Sequence, residues 1–229
     1  IEYLRKAHRL NKLPQTILFD GPSGIGKSSM AYALAKFLLA GGQGDSEVYQ
    51  KHARKVEMQP PIHPDLRMLT PSGAGGQIKV DDVRDAIDVA FQMPIESDRR
   101  VIIIDPADRL NVSAANSLLK LLEEPPSLLT LILATESVHG ILPTIRSRSA
   151  RLRLYPLPSE LIVRWLEKSH NIDPQLARVA ALFSDGCPGK ALQQIGGKAV
   201  ADRDTLIHEW QFFQTHGFQA IFRVAWNLA

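Results

Sequence analysis

The chain has 229 residues, of which 45% are hydrophobic and 22% charged, and its formal net charge is +3. This is the composition of an ordinary globular protein, long enough for one large core or two small ones. The slight excess of basic residues permits contact with nucleic acid but does not argue for it. The single cysteine, Cys187, excludes an internal disulfide and a cysteine-ligated zinc site. The apolar runs are too short to span a bilayer, so we expect a protein of the cytoplasm with no membrane contact.

Strand and helix patterns alternate along the first two thirds of the chain. We predict helices over 1–12, 30–38, 81–91 and 113–124, and strands over 17–19, 66–69, 99–105, 129–134 and 150–154. Elements of this size in this order predict an α/β fold, a parallel sheet covered by helices on both faces.

Residues 41–65 interrupt this alternation, because they are polar and contain several prolines. We predict an excursion from the core here rather than a part of it. His52 and His63 lie in this stretch, but neither has a neighbouring cysteine or a partner at a metal-ligand spacing. They are therefore predicted to be surface histidines.

After Pro156 and Pro158 the pattern contains helices only. Ser159 is predicted to cap one helix, Asp173-Pro174 to start another, and Ala191 begins the apolar positions of a third. We therefore expect a small helical domain over 156–198, with Gly196-Gly197 as a hinge. Residues 199–229 are predicted to begin a further helical region. Since the chain opens on Ile1 and closes inside a helical pattern, we expect it to be part of a longer polypeptide.

A glycine-rich segment follows the first predicted strand and precedes a helix. Gly21, Gly26, Lys27 and Ser28 have the spacing G-x-x-x-x-G-K-S of a phosphate-binding loop. Glycines let successive backbone N–H groups converge on phosphate oxygens, the lysine reaches the terminal phosphates, and the serine hydroxyl is a Mg²⁺ ligand. The alternative is a glycine turn that merely begins a helix. We predict that ATP or ADP with Mg²⁺ binds at Gly21, Pro22, Ser23, Gly24, Ile25, Gly26, Lys27, Ser28 and Ser29.

A second functional candidate ends the predicted strand over 99–105. This apolar run ends in Asp105, as a buried parallel strand does when it places a carboxylate at its carboxyl end. In a protein with a phosphate-binding loop, that aspartate belongs beside Mg²⁺ as a Walker B residue. Otherwise it is a turn or helix-capping residue. We predict Ser28 and Asp105 as the Mg²⁺ ligands.

Together, four segments resemble the bacterial DNA polymerase III clamp-loader branch of the AAA+ ATPases. They are the loop over 21–28, the Asp105 strand, the run NSLLKLLEEPP over 116–126, and Arg146-Ser147-Arg148-Ser149. The resemblance covers about 10–195 and implies an AAA+ module over 1–155, a helical lid over 156–198, and the start of an oligomerisation collar over 199–229. It also implies Thr135 as the sensor 1 residue.

Departures from the motor pattern identify the chain as resembling the delta-prime type. A motor subunit of the gamma/tau type has a glutamate after the Walker B aspartate, where this chain has Pro106. It also has a sensor 2 arginine where this chain has Gly189, with Lys190 next to it. The resemblance therefore implies weak or absent ATPase activity within a DNA polymerase holoenzyme. The family's usual four-cysteine zinc module is missing from residues 41–65, so we predict no zinc site.

The same resemblance implies a role for Arg148 as an arginine finger on the ATP of a neighbouring subunit. Here Ser149 stands where the family's Ser-Arg-Cys motif has cysteine, and Arg146 is the reserve candidate. From the residues alone, a structural arginine paired with a carboxylate is an equal alternative.

The implied partners are gamma/tau and delta subunits in a hetero-oligomer, the sliding clamp, and primer-template DNA bound through the assembled complex. Two other functions stay open. One is an active gamma/tau-like motor in which Asp108, or a residue outside this part of the polypeptide, orients the attacking water. The other is a DNA-binding AAA+ protein outside replication.

Overall fold

The computed structural model describes residues 2–42, 47–58, 61–72 and 76–196. The chain divides into two compact units, Ile1–Tyr155 and Pro156–Ala229. The predicted collar over 199–229 and half of the predicted hinge, Gly197, lie outside the described residues. Among the residues described, no helix is long and apolar enough to cross a membrane.

The first unit is built on a sheet of five parallel strands. They are β1 Thr16–Asp20, β2 Leu66–Leu69, β3 Arg100–Ile104, β4 Leu129–Thr135 and β5 Ala150–Arg153. Their order across the sheet is β2-β3-β4-β1-β5. The strands β1, β3 and β4 are buried along their whole length, which is typical of a parallel sheet with both faces covered. The α/β fold with a parallel sheet that the sequence predicts is therefore confirmed.

Helices cover both faces of this sheet. They are α1 Glu2–Arg9, α2 Lys27–Leu39, α3 Glu47–Glu57, α4 Val80–Ala90, α5 Val112–Glu123 and α6 Pro143–Ser147. Successive side chains of the central strand over 100–104 point to opposite faces and belong to two different cores. Ile102 and Ile104 pack with α4 and α5, whereas Val101 and Ile103 pack with α1, α2 and α3.

Two of these helices were not predicted from the sequence. The helix α3 lies within 41–65 and buries Ala53 and Val56, so the prediction that this whole stretch lies outside the core was wrong. The helix α6 has Pro143 at its first turn, a position where proline's fixed φ suits a helix. It ends at Ser147, directly before Arg148.

The second unit has α7 Ser159–His170, α8 Pro174–Leu182 and α9 Pro188–Gly196. Its small core includes Ile162, Leu166 and Ala180. The helix α8 begins at Asp173-Pro174 as predicted, and Asp173 caps it, since its carboxylate accepts the backbone N–H groups of Gln175 and Leu176. The prediction for α7 was wrong by one position: Ser159 is its first residue, Pro158 occupies the capping position, and no side chain caps the helix.

Candidate nucleotide site and the opposite edge of the sheet

The candidate site lies at the carboxyl ends of three adjacent parallel strands. Asp20, the last residue of β1, is in register with Thr135, the last residue of β4. Asp105 directly follows β3, which pairs with β4 on its other side. Because parallel strands bring their carboxyl ends to one edge of a sheet, the glycine-rich loop after β1 shares that edge with Asp105 and Thr135.

The glycine-rich loop depends on glycine at two positions for different reasons. Gly26, the residue that precedes α2, has φ 103°, a left-handed conformation that side chains disfavour. A Cβ on Gly21 would lie 2.8 Å from the carbonyl oxygen of Leu154. The loop therefore needs these glycines for its backbone path, and the alternative of an ordinary helix-starting turn does not require both.

Lys27 lies across this loop. Its ammonium group donates hydrogen bonds of 2.9 Å to the carbonyl oxygens of Gly21 and Pro22, and the residue is only 6% exposed. Ser28 and Ser29, on the first turn of α2, are exposed. A buried cation, converging backbone and exposed hydroxyls at the start of α2 fit the triphosphate end of a nucleotide.

Asp105 is half-buried at the same edge. Its backbone N–H donates to the carbonyl of Leu69, which fixes the chain where it leaves β3. Its carboxylate lies close enough to α2 to act on it: burial raises the pKa of Tyr32 on that helix, and the negative charge of Asp105 raises it further. The Walker B candidate is thus near the helix that begins with Lys27 and Ser28.

Asp108 and Thr135 are joined by a hydrogen bond, and the side chain of each also accepts a backbone N–H group. The Thr135 hydroxyl donates to the Asp108 carboxylate at 2.7 Å, and the backbone N–H of Glu136 donates to the same oxygen at 3.2 Å. Thr135 Oγ1 also accepts the backbone N–H of Ser137. The predicted sensor residue is therefore held by Asp108, a contact between positions 27 apart that the sequence reasoning did not find.

A second contact missed from the sequence fixes the entry to the loop. Asp20 is 5% exposed, and Arg151 of β5 donates two hydrogen bonds to one of its carboxylate oxygens. The register of β1 with β5 places the two strands side by side, although the residues are 131 apart in sequence. The alternation of β5 was the available signal, since Arg151 and Arg153 share one face of that strand.

Arg148 follows α6, near the sequence end of the first unit. Its guanidinium donates to the Glu123 carboxylate at 2.9 Å and to the Thr144 carbonyl at 3.2 Å. The side chain remains 37% exposed. The carboxylate pairing considered from the sequence is thus present, and the guanidinium is still accessible from outside the chain. Arg146, the reserve candidate, is half-buried.

In the second unit, Gly189 lies in the first turn of α9. The adjacent Lys190 pairs with Asp185 at 2.9 Å.

A group of buried polar residues lies at the other edge of the sheet, where β2 and β3 begin. The fully buried carboxylate of Asp65 accepts the backbone N–H groups of Ile95, Glu96 and Ser97 at 2.7–2.9 Å. It also lies 3.6 Å from the buried guanidinium of Arg100. Burial alone raises the pKa of Asp65, but these N–H bonds and then the charge of Arg100 outweigh it, and the pKa is lower than usual.

His52 and His63 join this group, so the prediction that they are surface residues was wrong. They are 5% and 2% exposed, and His52 Nδ1 lies 2.6 Å from His63 Nε2. Burial, and then the neighbouring His52, lower the pKa of His63 to about 4. The two rings come together because α3 packs against α2 and the segment that leads into β2 returns beside α3, where the Ile62 N–H donates to the Lys55 carbonyl at 3.0 Å.

One ligand atom from each of His52, His63 and Glu96 lies within 4.8 Å of the others, a spacing that would suit a metal ion. These groups already have partners: Lys55 holds the Glu96 carboxylate at 2.6 Å, and His63 Nδ1 accepts the backbone N–H of Asp65. That bond puts the ring proton of neutral His63 on Nε2, from which it is donated to His52. The cluster is arranged for hydrogen bonding, and the absence of a zinc site stays a prediction.

Residues 1–158 match the family described as DNA polymerase III, delta subunit. DNA polymerase III subunit delta' of Pseudomonas aeruginosa is 33% identical over 199 residues, which are 84% of this chain and 58% of that protein. Subunit gamma/tau of Mycobacterium tuberculosis is 36% identical over 149 residues, which are 64% of this chain and 25% of that one.

Among solved structures, the chain is similar to a DNA polymerase III gamma subunit-related protein of Thermotoga maritima. The TM-score is 0.53 at 25% identity, over 80% of this chain and 57% of the other. The chain spans about three fifths of the length of the delta' relatives it matches.

Proposed function

Since the chain belongs to the DNA polymerase III clamp-loader family and is of its delta-prime type, we propose that it acts as a stator in the loader. In this role it binds nucleotide without turning it over appreciably and supplies Arg148 to the ATP of a neighbouring subunit. The observation that carries the proposal is the contrast between two groups: Arg148 is accessible from outside, whereas Asp108 is held by Thr135 and Glu136.

Binding of ATP or ADP is supported by the geometry of the loop. The ammonium group of Lys27 donates to two backbone carbonyls. Phosphate oxygens can replace these carbonyls as acceptors, so the buried charge stays paired when nucleotide binds. Ser28 is exposed at the start of α2, and the charge of Asp105 acts on the same helix, which suits a shared role in Mg²⁺ ligation. Bound Mg²⁺ would neutralise charge on the phosphates. The chain's own groups would orient the nucleotide through the loop N–H groups and Lys27.

Weak hydrolysis is supported by the residues that follow Asp105. Pro106 stands where a motor subunit has a carboxylate to orient the attacking water, and proline has no group that accepts a proton. Asp108 is the nearest acidic replacement, but its carboxylate oxygen accepts two hydrogen bonds from the end of β4. These contacts favour the stator over the alternative of an active motor.

Action of Arg148 in trans is supported by its position and exposure. It follows a short helix at the surface and keeps guanidinium donors beyond its two intrachain contacts. An arginine supplied to a neighbour's phosphates raises phosphoryl-transfer rates by roughly 10³- to 10⁵-fold in other systems. Gamma/tau and delta subunits, the sliding clamp and primer-template DNA are the partners that this role implies. A cytoplasmic setting belongs to the same proposal.

Steady-state ATP hydrolysis tests the proposal. The full-length protein is assayed alone and then mixed with gamma/tau and delta subunits, as wild type and as Arg148→Ala. We expect little turnover by the protein alone, and turnover by the mixture that falls at least tenfold with Arg148→Ala.

The control is Arg164→Ala, which changes an arginine of the second unit. It should leave the turnover of the mixture unchanged. Brisk turnover by the protein alone, or full activity of the mixture with Arg148→Ala, would refute the stator and favour an active motor.

A further inference from the structure

The Arg148 guanidinium is held by two acceptors that come from different elements. Thr144 belongs to α6, the helix that Arg148 follows, and its carbonyl accepts from one terminal nitrogen. Glu123 is the last residue of α5, 25 positions earlier in the chain, and its carboxylate accepts from the other terminal nitrogen at 2.9 Å. The planar guanidinium is therefore fixed by contacts at both terminal nitrogens.

Glu123 itself stands on a fixed support. The helix α5 begins with Asn111, whose side chain caps it by accepting the N–H of Ala114 at 2.8 Å. At the other end, the buried Leu121 and Leu122 anchor the last turn in the core. Ile145 of α6 belongs to the same core, so the two elements that hold the guanidinium share one rigid base.

The exposure of Glu123 and Arg148 shows that their contact does not serve to fill the core. Glu123 is 54% exposed and Arg148 is 37% exposed in their side chains. An ion pair at this exposure contributes little to folding, about 0–1 kcal/mol in general. Its main physical effect is to restrict the rotamers of a long side chain that otherwise has considerable freedom.

We propose that Glu123 is a positioning residue that orients Arg148 for its contact with the neighbouring subunit's nucleotide, a role that rests on the function proposed above. The carboxylate and the Thr144 carbonyl hold the guanidinium plane and leave its other N–H donors for phosphate oxygens. The conformational entropy of the Arg148 side chain is therefore lost when the chain folds. Less remains to be lost when the neighbouring site reacts.

The hydrogen bond and the negative charge of Glu123 make different demands, and this provides a test. Glu123→Gln keeps an oxygen acceptor for the guanidinium without the charge, whereas Glu123→Ala removes both. If orientation is what matters, Glu123→Ala should lower kcat of the reconstituted loader about tenfold, and Glu123→Gln about twofold. The KM for ATP should not change, since Glu123 does not touch the nucleotide. Glu124→Ala is the matched control, because this adjacent exposed glutamate lies outside the Arg148 contact and should leave kcat unchanged.

A double variant distinguishes this inference from the proposed function. With Arg148→Ala already present, Glu123→Ala should have no further effect on kcat, because the group it positions is gone. If Arg148→Ala lowers kcat but Glu123→Ala leaves it at or above the wild-type value, Glu123 is not a positioning residue, while the finger stands. If Arg148→Ala has no effect, the proposed function itself has failed. The thermal unfolding midpoint of each variant should be close to that of wild type, because an exposed ion pair contributes little to stability. A fall in kcat without a fall in this midpoint is then an effect on catalysis and not on folding.

Discussion

The two edges of the parallel sheet contain similar polar groups but use them differently. At the amino-terminal edge, Asp65 is fully buried and accepts three backbone N–H groups beside Arg100. At the carboxyl-terminal edge, Lys27 is bonded to two loop carbonyls, and Ser28 is exposed. Groups whose partners are permanent stabilise the fold, whereas groups whose partners can be exchanged are suited to bind a ligand. We therefore expect mutation of the polar residues at the amino-terminal edge to lower stability, and mutation of those at the carboxyl-terminal edge to lower ligand binding.

The largest effect on stability is expected at the amino-terminal edge. Asp65→Asn replaces an acceptor-only carboxylate by an amide and leaves Arg100 without its buried counter-charge. We expect the free energy of unfolding to fall by about 3–5 kcal/mol, measured by chemical denaturation. The control is Asp81→Asn, whose partner Arg84 lies 3.5 Å away at the surface. That change should cost less than about 1 kcal/mol. Equal costs at the two positions would contradict the comparison.

The next effect concerns ligand binding at the carboxyl-terminal edge. Lys27→Ala removes the cation that lies across the loop, and we expect the affinity for a fluorescent ATP analogue to fall about 100-fold. Lys36→Ala is the control, because Lys36 lies on the same helix but pairs with Glu57. If nucleotide bound equally well to both variants, the loop would not be the binding site.

A pH dependence of stability is expected from the histidine pair. The folded pKa of His63 is about 4, below the ordinary value of 6.5. The unfolded chain therefore binds more protons between these values, so stability rises with pH and is lost on acidification through that window. We expect about 2 kcal/mol less stability at pH 5 than at pH 7, in buffer with EDTA.

The control for this pH dependence is a pair of glutamine variants. His63→Gln should flatten the dependence, while His139→Gln, at an exposed site, should preserve it. A wild-type stability that is constant from pH 5 to pH 7 would mean that the pair does not resist protonation.

The smallest effect is expected from Asp108→Ala. Its carboxylate accepts two hydrogen bonds at the end of β4, so its loss should cost about 1 kcal/mol of stability. ATP turnover by the isolated protein should not fall further, since we assign Asp108 no catalytic role. A collapse of turnover would instead identify Asp108 as the group that orients water, and would make the chain an active motor.

Local patterns in the sequence were sufficient to predict the parallel sheet and the position of the glycine-rich loop between β1 and α2. The apolar run of β3 and the glycine spacing of 21–28 each specify their structure within a few residues, because their physical causes are local. The resemblance to clamp-loader subunits, which rested on segments of this kind, is confirmed by the family match.

Contacts between distant residues could not be predicted in this way. His52 and His63 are 11 positions apart in a proline-containing stretch, and only the packing of α3 brings their rings together. Asp20 and Arg151 meet because β1 and β5 are neighbours in space, which a strand pattern alone does not reveal. The helix α3 was missed because most of its positions are polar and the apolar side chains it is seen to bury, Ala53 and Val56, are small.

The two bonds from Lys27 to the carbonyls of Gly21 and Pro22 bear on the kinetics of nucleotide capture. Because the ammonium group already spans the loop, the loop does not have to fold around an arriving phosphate. Association then consists of diffusion followed by a local exchange of acceptors, without a slow rearrangement of the backbone. The rate of capture should therefore increase in proportion to nucleotide concentration over a wide range, with no plateau set by loop closure.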